Sequence, residues 1–171
     1  MLNWEKYRRA FGWVNRLPAR TIITVATLGP VGRLGRAPGT NGSVVGLIYF
    51  FLVYPHTPAP VALVLLLASV YLAVAFCDAA EIRLGQSDPG CVILDEFVAM
   101  PFCFFGVFPQ AAGHGWPWWF PALLGFAIFR FFDIRKPFGI YSLQRLPGGL
   151  GVVVDDLAAA LATCLALHLI V

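Results

Sequence analysis

Eight carboxylates hold most of the reactive chemistry in this sequence: Asp78, Glu81, Asp88, Asp95, Glu96, Asp133, Asp155 and Asp156. They fall where long apolar runs begin or end, and the ninth acid, Glu5, stands apart. A carboxylate within or beside a membrane segment is costly and usually needs a partner. Clustered carboxylates invite a hard cation such as Mg²⁺. Two adjacent pairs sharpen the point. Asp95-Glu96 is embedded in Val-Ile-Leu-Asp-Glu-Phe-Val, where a solvated helix start explains it poorly. Asp155-Asp156 follows a glycine loop and three valines, and two desolvated carboxylates side by side repel unless a cation lies between or near them.

Groups suited to an anion accompany the acids. Arg130 and Asp133 are i,i+3 neighbours on a helix, for which a plain ion pair is the structural alternative. Arg135 and Lys136 can neutralise phosphate oxygens, with the arginine fork better matched to bidentate contact. Pro38-Gly39-Thr40-Asn41-Gly42-Ser43 precedes an apolar segment, so its glycines let backbone approach an anion at a helix N-terminus. Thr40 or Ser43 is expected to cap that helix. The P-loop pattern is missing. Asp88 stands seven residues before Asp95, about two helical turns, but Asp88-Pro89-Gly90 favours a loop. Asp95 and Glu96 are expected to point about 100° apart on a helix, so that one holds a metal while the other binds a cation or moves a proton.

What positions these groups is apolar. Of 171 residues, 59% are hydrophobic and 12% charged, and the mean hydropathy is +0.77. The runs 59–77, 91–108, 116–132 and 151–171 are each close to the ~20 residues that cross a bilayer. The shorter run 43–54 either spans with local thinning or re-enters. The fold class expected is all-α: a polytopic membrane helical bundle of about four to five apolar spans, in one domain over 1–171. Trp4, Tyr7, Phe11 and Val14 recur at helical spacing among Lys6, Arg8 and Arg9, which predicts an interfacial amphipathic helix over 1–20.

Every Lys and Arg falls in 1–36, the polar linker expected over 78–90, or 130–145, and the connections 55–60 and 109–115 have none. The positive-inside rule therefore places those three basic regions in the cytoplasm. Asp78 then ends the second run, Asp95-Glu96 lies near the start of the third, Asp133 ends the fourth and Asp155-Asp156 begins the fifth. Four segments deliver acids to one membrane level. No basic stripe with interleaved aromatics suggests nucleic acid. Cys77, Cys91, Cys103 and Cys164 lack C-x-x-C spacing and read as packing residues. His56, His114 and His168 fall away from the acidic level, which argues against a phosphohistidine mechanism.

Taken together, P-G-T-x-G-S at 38–43, D-P-G-x-x-x-x-D-E at 88–96, F-R-x-x-D-x-x-K-P at 129–137 and G-G-x-G-x-x-x-D-D at 148–156 resemble the phosphatidylglycerophosphatase A family of bacterial lipid phosphatases. The motifs occur in the family's order over most of residues 29–160. The resemblance implies Mg²⁺-dependent removal of the terminal phosphate of phosphatidylglycerophosphate, an anionic glycerophospholipid, at the cytoplasmic face of the bacterial inner membrane. Asp95, Glu96, Asp133, Asp155 and Asp156 are expected to bind one or two Mg²⁺, with Asp88 in the same shell or orienting water. Thr40, Gly42, Ser43, Arg130 and Lys136 are expected to hold the phosphate, while Asp78 and Glu81 line the site. Attack by an aspartate and attack by water both stay open. The rival reading is an ion- or proton-coupled transporter using the same carboxylates, which would need acids at mid-membrane. A CDP-alcohol phosphotransferase is disfavoured because its D-G-x-x-A-R pattern is missing.

Overall fold

Proline and glycine punctuate this chain into helices of very different length. A computed structural model describes residues 11–137 and 139–171, and among these there is no strand. The helices are α1 (Ala19–Ala26), α2 (Pro38–Val53), α3 (Ala59–Leu84), α4 (Leu94–Ala99), α5 (Val107–Gly113), α6 (Trp119–Arg135) and α7 (Gly149–Ile170). Short 3₁₀ turns link several of them, notably Met100–Phe104 and Ile140–Arg145. Pro38 opens α2 at its first position, where the missing N–H costs nothing. At the end of α3, Gly85 adopts φ 65° and returns its N–H to Glu81 O at 2.9 Å.

The all-helical expectation holds, and the spans are more uneven than the apolar runs suggested. Among the described residues two helices, α3 and α7, are long and apolar enough to cross a membrane, with mean hydropathy 2.5 and 1.9. At 16 and 17 residues, α2 and α6 come to about 24 and 26 Å at 1.5 Å per residue. The run 91–108 is not one helix. Pro101 stands at the second position of a 3₁₀ turn, where its ring prevents α4 from continuing. Gly106, at φ 76°, then turns the chain into α5. The run from residue 59 instead extends to Leu84, so Asp78 and Glu81 belong to α3 rather than to a linker.

The expected amphipathic helix over 1–20 lies largely outside the described residues. Within them, Val14–Arg16 forms a 3₁₀ turn and α1 starts at Ala19, after Pro18. Trp13 docks this segment on α3 through a hydrogen bond from Nε1 to Tyr71 Oη at 2.9 Å.

Two apolar clusters hold the helices together. One joins α1, the C-terminal half of α3, α4 and the start of α7 around Ala73, Cys77, Leu94 and Val153. The other joins α2, α5, α6 and the far half of α7 around Phe50, Phe104, Phe129 and Leu167. Close approach of α2 to α4 requires glycine. A Cβ at Gly42 would meet Ile93 O at 2.8 Å, and one at Gly46 would meet Phe97 O at 2.6 Å. Outward faces stay apolar on all four long helices: Val44, Ile48 and Leu52; Val61, Val64 and Leu67; Leu123 and Phe131; Leu161, Leu165 and Leu169.

Candidate active site

Five helices meet at one end of the bundle and bring their charged residues together. The first turns of α2, the last turns of α3 and α6, all of α4 and the first turns of α7 contribute. Asp95, Glu96 and Asp156 form its centre. Each offers a carboxylate oxygen, and these oxygens all lie within 4.8 Å of one another. Asp95 and Asp156 are 5% and 3% exposed. Asp95 Oδ1, Glu96 Oε2 and Asp156 Oδ2 are buried without a hydrogen-bond partner. The expectation that Asp95 and Glu96 diverge is therefore corrected. Helix α4 is only six residues long and its two acids both converge on α7, where a cation could take all three oxygens.

The other two members of the expected metal set are already occupied by cations of the chain. Arg130 donates from Nη1 to Asp133 Oδ2 at 2.6 Å. The Lys136 ammonium donates to Asp155 Oδ2 and stands 3.8 Å from Asp133 Oδ1 and 3.9 Å from Asp156 Oδ1. The Asp155 side chain is 2% exposed, so its charge depends on this partner. Lys136 also reaches the acids by an uncommon backbone: it caps α6 in the left-handed region at φ 44°. Burial alone would lower the Lys136 ammonium pKa. The hydrogen bond to Asp155 and the charges of Asp156, Asp155 and Asp133 outweigh burial and hold it above its ordinary value.

Helix α4 lies outside the two long apolar helices, and both of its acids are hard to ionise. Burial, then the charges of Glu96 and Asp156, push the Asp95 carboxyl well above the usual carboxylate range. Burial also raises Glu96; the Asp133 charge adds to this, while a hydrogen bond with Asp95 and the Arg130 charge offset part of it. Three such acids in contact favour a bound cation over three separate negative charges.

The phosphate-binding expectations divide. Arg130 has a buried Nε without a partner, and its Nη2 and the Glu96 carboxylate both border Gly39. Ser43 is fully buried; its hydroxyl donates to Gly39 O at 2.9 Å and accepts from Arg130 Nη1 at 3.3 Å. It therefore fixes Arg130 rather than capping a helix. Residues 38–43 lie inside α2, not ahead of it, and α2 has no side-chain cap. Gly42 packs under Ile93 and faces α4. Thr40 is half-buried in the first turn. The motif residue that does face the acids is Gly39. A Cβ there would run into the Glu96 carboxylate and come within 3.3 Å of Arg130 Nη2. The spacing of Gly39, Gly42 and Gly46 marks a helix face, and that was the available signal for it.

Asp78, Glu81 and Asp88 shape the rim. Asp78 is 6% exposed, and its Oδ1 accepts the Gly149 N–H at 3.3 Å, at the first residue of α7. A side chain at Gly148 would meet the same carboxylate. Glu81 Oε1 accepts the Asp88 N–H at 2.6 Å and the Ser87 hydroxyl at 3.3 Å. Asp88 sits in a loop at φ 46° and is exposed. Its charge bears on Asp95 and on Asp155.

Fold and site together define a helical bundle with a buried cluster of carboxylates and an arginine gathered at one end. The chain belongs to the phosphatidylglycerophosphatase A family, whose model matches residues 24–171. A Haemophilus influenzae protein named phosphatidylglycerophosphatase A is 34% identical over 131 residues, covering 76% of each chain. The Escherichia coli protein of that name is 27% identical over 134 residues, 78% of this chain and 73% of the relative. A Bacteroides thetaiotaomicron protein provisionally named phosphatidylinositol-3-phosphatase is 31% identical over 127 residues, 72% of this chain and 76% of the relative. No solved structure matches the chain.

Proposed function

We propose that this chain hydrolyses the terminal phosphomonoester of phosphatidylglycerophosphate, giving phosphatidylglycerol and phosphate, with Mg²⁺ as cofactor. The observation that carries the reading is the set of three unpaired, buried carboxylate oxygens of Asp95, Glu96 and Asp156 together with the unpartnered Arg130 Nε. An all-oxygen, all-acidic donor set fits a hard divalent ion. Those three residues would hold it. Bound Mg²⁺ supplies Lewis-acid neutralisation of the phosphoryl charge, which matters because phosphate monoesters hydrolyse extremely slowly unaided.

The chain's own residues do the rest. Arg130, oriented by Asp133 and Ser43, presents its remaining donor to a phosphate oxygen. Lys136 neutralises Asp155 and Asp133, so that the incoming phosphate does not meet two further negative charges. Asp88, on its fixed loop, stands at the open side, where an acid can orient water or take up its proton. Oxygen-label exchange separates attack by a carboxylate from attack by water.

The same reading places α2, α3, α6 and α7 across a bacterial inner membrane with the acids at its cytoplasmic face. The apolar outward surfaces of all four helices support this. So does Arg83, at the same end of α3 as the acids, with Arg135 likewise closing α6. Purified protein is expected to release phosphate from phosphatidylglycerophosphate with Mg²⁺ and to stop on addition of EDTA. Ion flux in proteoliposomes without phosphate release would favour a transporter instead.

A further inference from the structure

A cavity of about 160 Å³ opens between the loop that follows α3 and the start of α7. Ser87, Asp88 and Gln144 line it together with Leu146, Gly148, Gly151 and Val152. Gly151 and Val152 stand four residues before Asp155 and Asp156 on α7, so the cavity continues the same side of that helix one turn away from the acids. Asp88 belongs to both places: it lines the cavity, and its charge reaches the acid centre.

The lining excludes two parts of a phospholipid. Among the described residues no Lys or Arg lines it, so a second phosphate would gain no cation from them and would meet the Asp88 charge. Three polar side chains make it a poor place for an acyl chain. A hydroxyl, by contrast, donates to a carboxylate or an amide oxygen and accepts from an amide N–H, groups that Asp88 and Gln144 carry, while the Ser87 hydroxyl is already given to Glu81.

We propose that this cavity is a polyol subsite, holding the hydroxylated linker that bears the scissile phosphate. It would select a phosphate carried on glycerol over one carried directly on diacylglycerol. The inference rests on the phosphatase reading above and adds which residues hold the glycerol of that substrate. A site built to hydrogen-bond a hydroxyl discriminates strongly against a substrate lacking it, because its own polar groups are then left unpaired.

The full chain in detergent micelles with Mg²⁺ tests this with two lipids: phosphatidylglycerophosphate, and phosphatidic acid, which offers the same monoester without the polyol. The expected wild-type preference in kcat/KM is for the first. Gln144→Leu lowers that preference about tenfold, mainly through KM. Gln144→Glu keeps the shape, loses the N–H donor, adds a charge beside Asp88 and lowers the preference similarly. No wild-type preference, or equal losses on both lipids in both variants, overturns the subsite and leaves the phosphatase reading standing. Release from neither lipid by the wild-type chain overturns both.

Discussion

A methyl group added to Gly39 would run into the Glu96 carboxylate, whereas one added to Gly42 would meet the Ile93 carbonyl oxygen at 2.8 Å. The two glycines are three residues apart in one motif, and their substitutions separate activity from stability. Gly39→Ala displaces only the end of a flexible side chain, so it is expected to leave the melting temperature near wild type. Turnover falls about 100-fold, because small misplacements of reacting groups are costly. Gly42→Ala presses on backbone and costs about 1–3 kcal/mol of stability. Thermal melts and phosphate release on both variants check this, and equal behaviour would refute it. The acids themselves supply a pH prediction. Asp95 and Glu96 hold their protons above the usual range, so in the metal-free protein their contribution to stability is present at low pH. It fades as pH rises through the raised values. Metal binding needs the ionised forms and releases protons. Mg²⁺ should therefore raise the melting temperature more at about pH 8 than at about pH 6; a larger shift at the lower pH would contradict the three-acid site. The acids were legible in the sequence because charge is rare in an apolar chain. Their division was legible in part: the i,i+3 spacing offered the Arg130–Asp133 pair, whereas the reach of Lys136 to Asp155, and the oxygen of each other acid left without a partner, depend on how α6 meets α7.

Between α3 and α7 the connection is made by Asp78, whose carboxylate receives the first N–H of the helix that bears Asp155 and Asp156. A carboxylate at a helix N-terminus is favoured by the dipole as well as by the hydrogen bond. Asp78 is thus a positioning residue: it sets where α7 starts, and through that where its acids lie two turns on. Asp78→Asn retains an acceptor oxygen and is expected to keep most of kcat. Asp78→Ala loses it and should lower kcat and raise the Mg²⁺ concentration needed for half-activity, with KM for the lipid little changed. Equal losses in the two variants would assign Asp78 a role through its charge rather than through the helix start. The runs 116–132 and 151–171 lie close to α6 and α7, and the run from residue 59 starts where α3 starts. The run 91–108 misled because its apolar length outweighed Pro101 and Gly106, the two residues that break it. The opposite error lengthened the supposed linker after residue 77, because Asp78 and Glu81 looked like an exit from the membrane. Both are held inside the fold by backbone N–H groups from elsewhere.

Across the whole molecule, three helix N-termini and two helix C-termini share one charged end, while the opposite end is built from aromatic and aliphatic contacts around Phe50 and Phe104. This polarity is what the distribution of charge along the chain led one to expect, since basic and acidic residues recur in the same connections. The pairings within that end come from tertiary packing, such as Gly39 against Glu96 and Ser43 against Arg130, between residues 57 and 87 positions apart in the chain. The central question for this molecule is whether Asp95, Glu96 and Asp156 hold the metal that makes phosphate release possible. Phosphate release from phosphatidylglycerophosphate, titrated with Mg²⁺ in wild type and in Asp156→Asn, addresses it directly. Release that saturates with Mg²⁺, stops in EDTA, returns on adding Mg²⁺ back and is lost in Asp156→Asn is the predicted result. Undiminished release in EDTA, or wild-type turnover in Asp156→Asn, would contradict it.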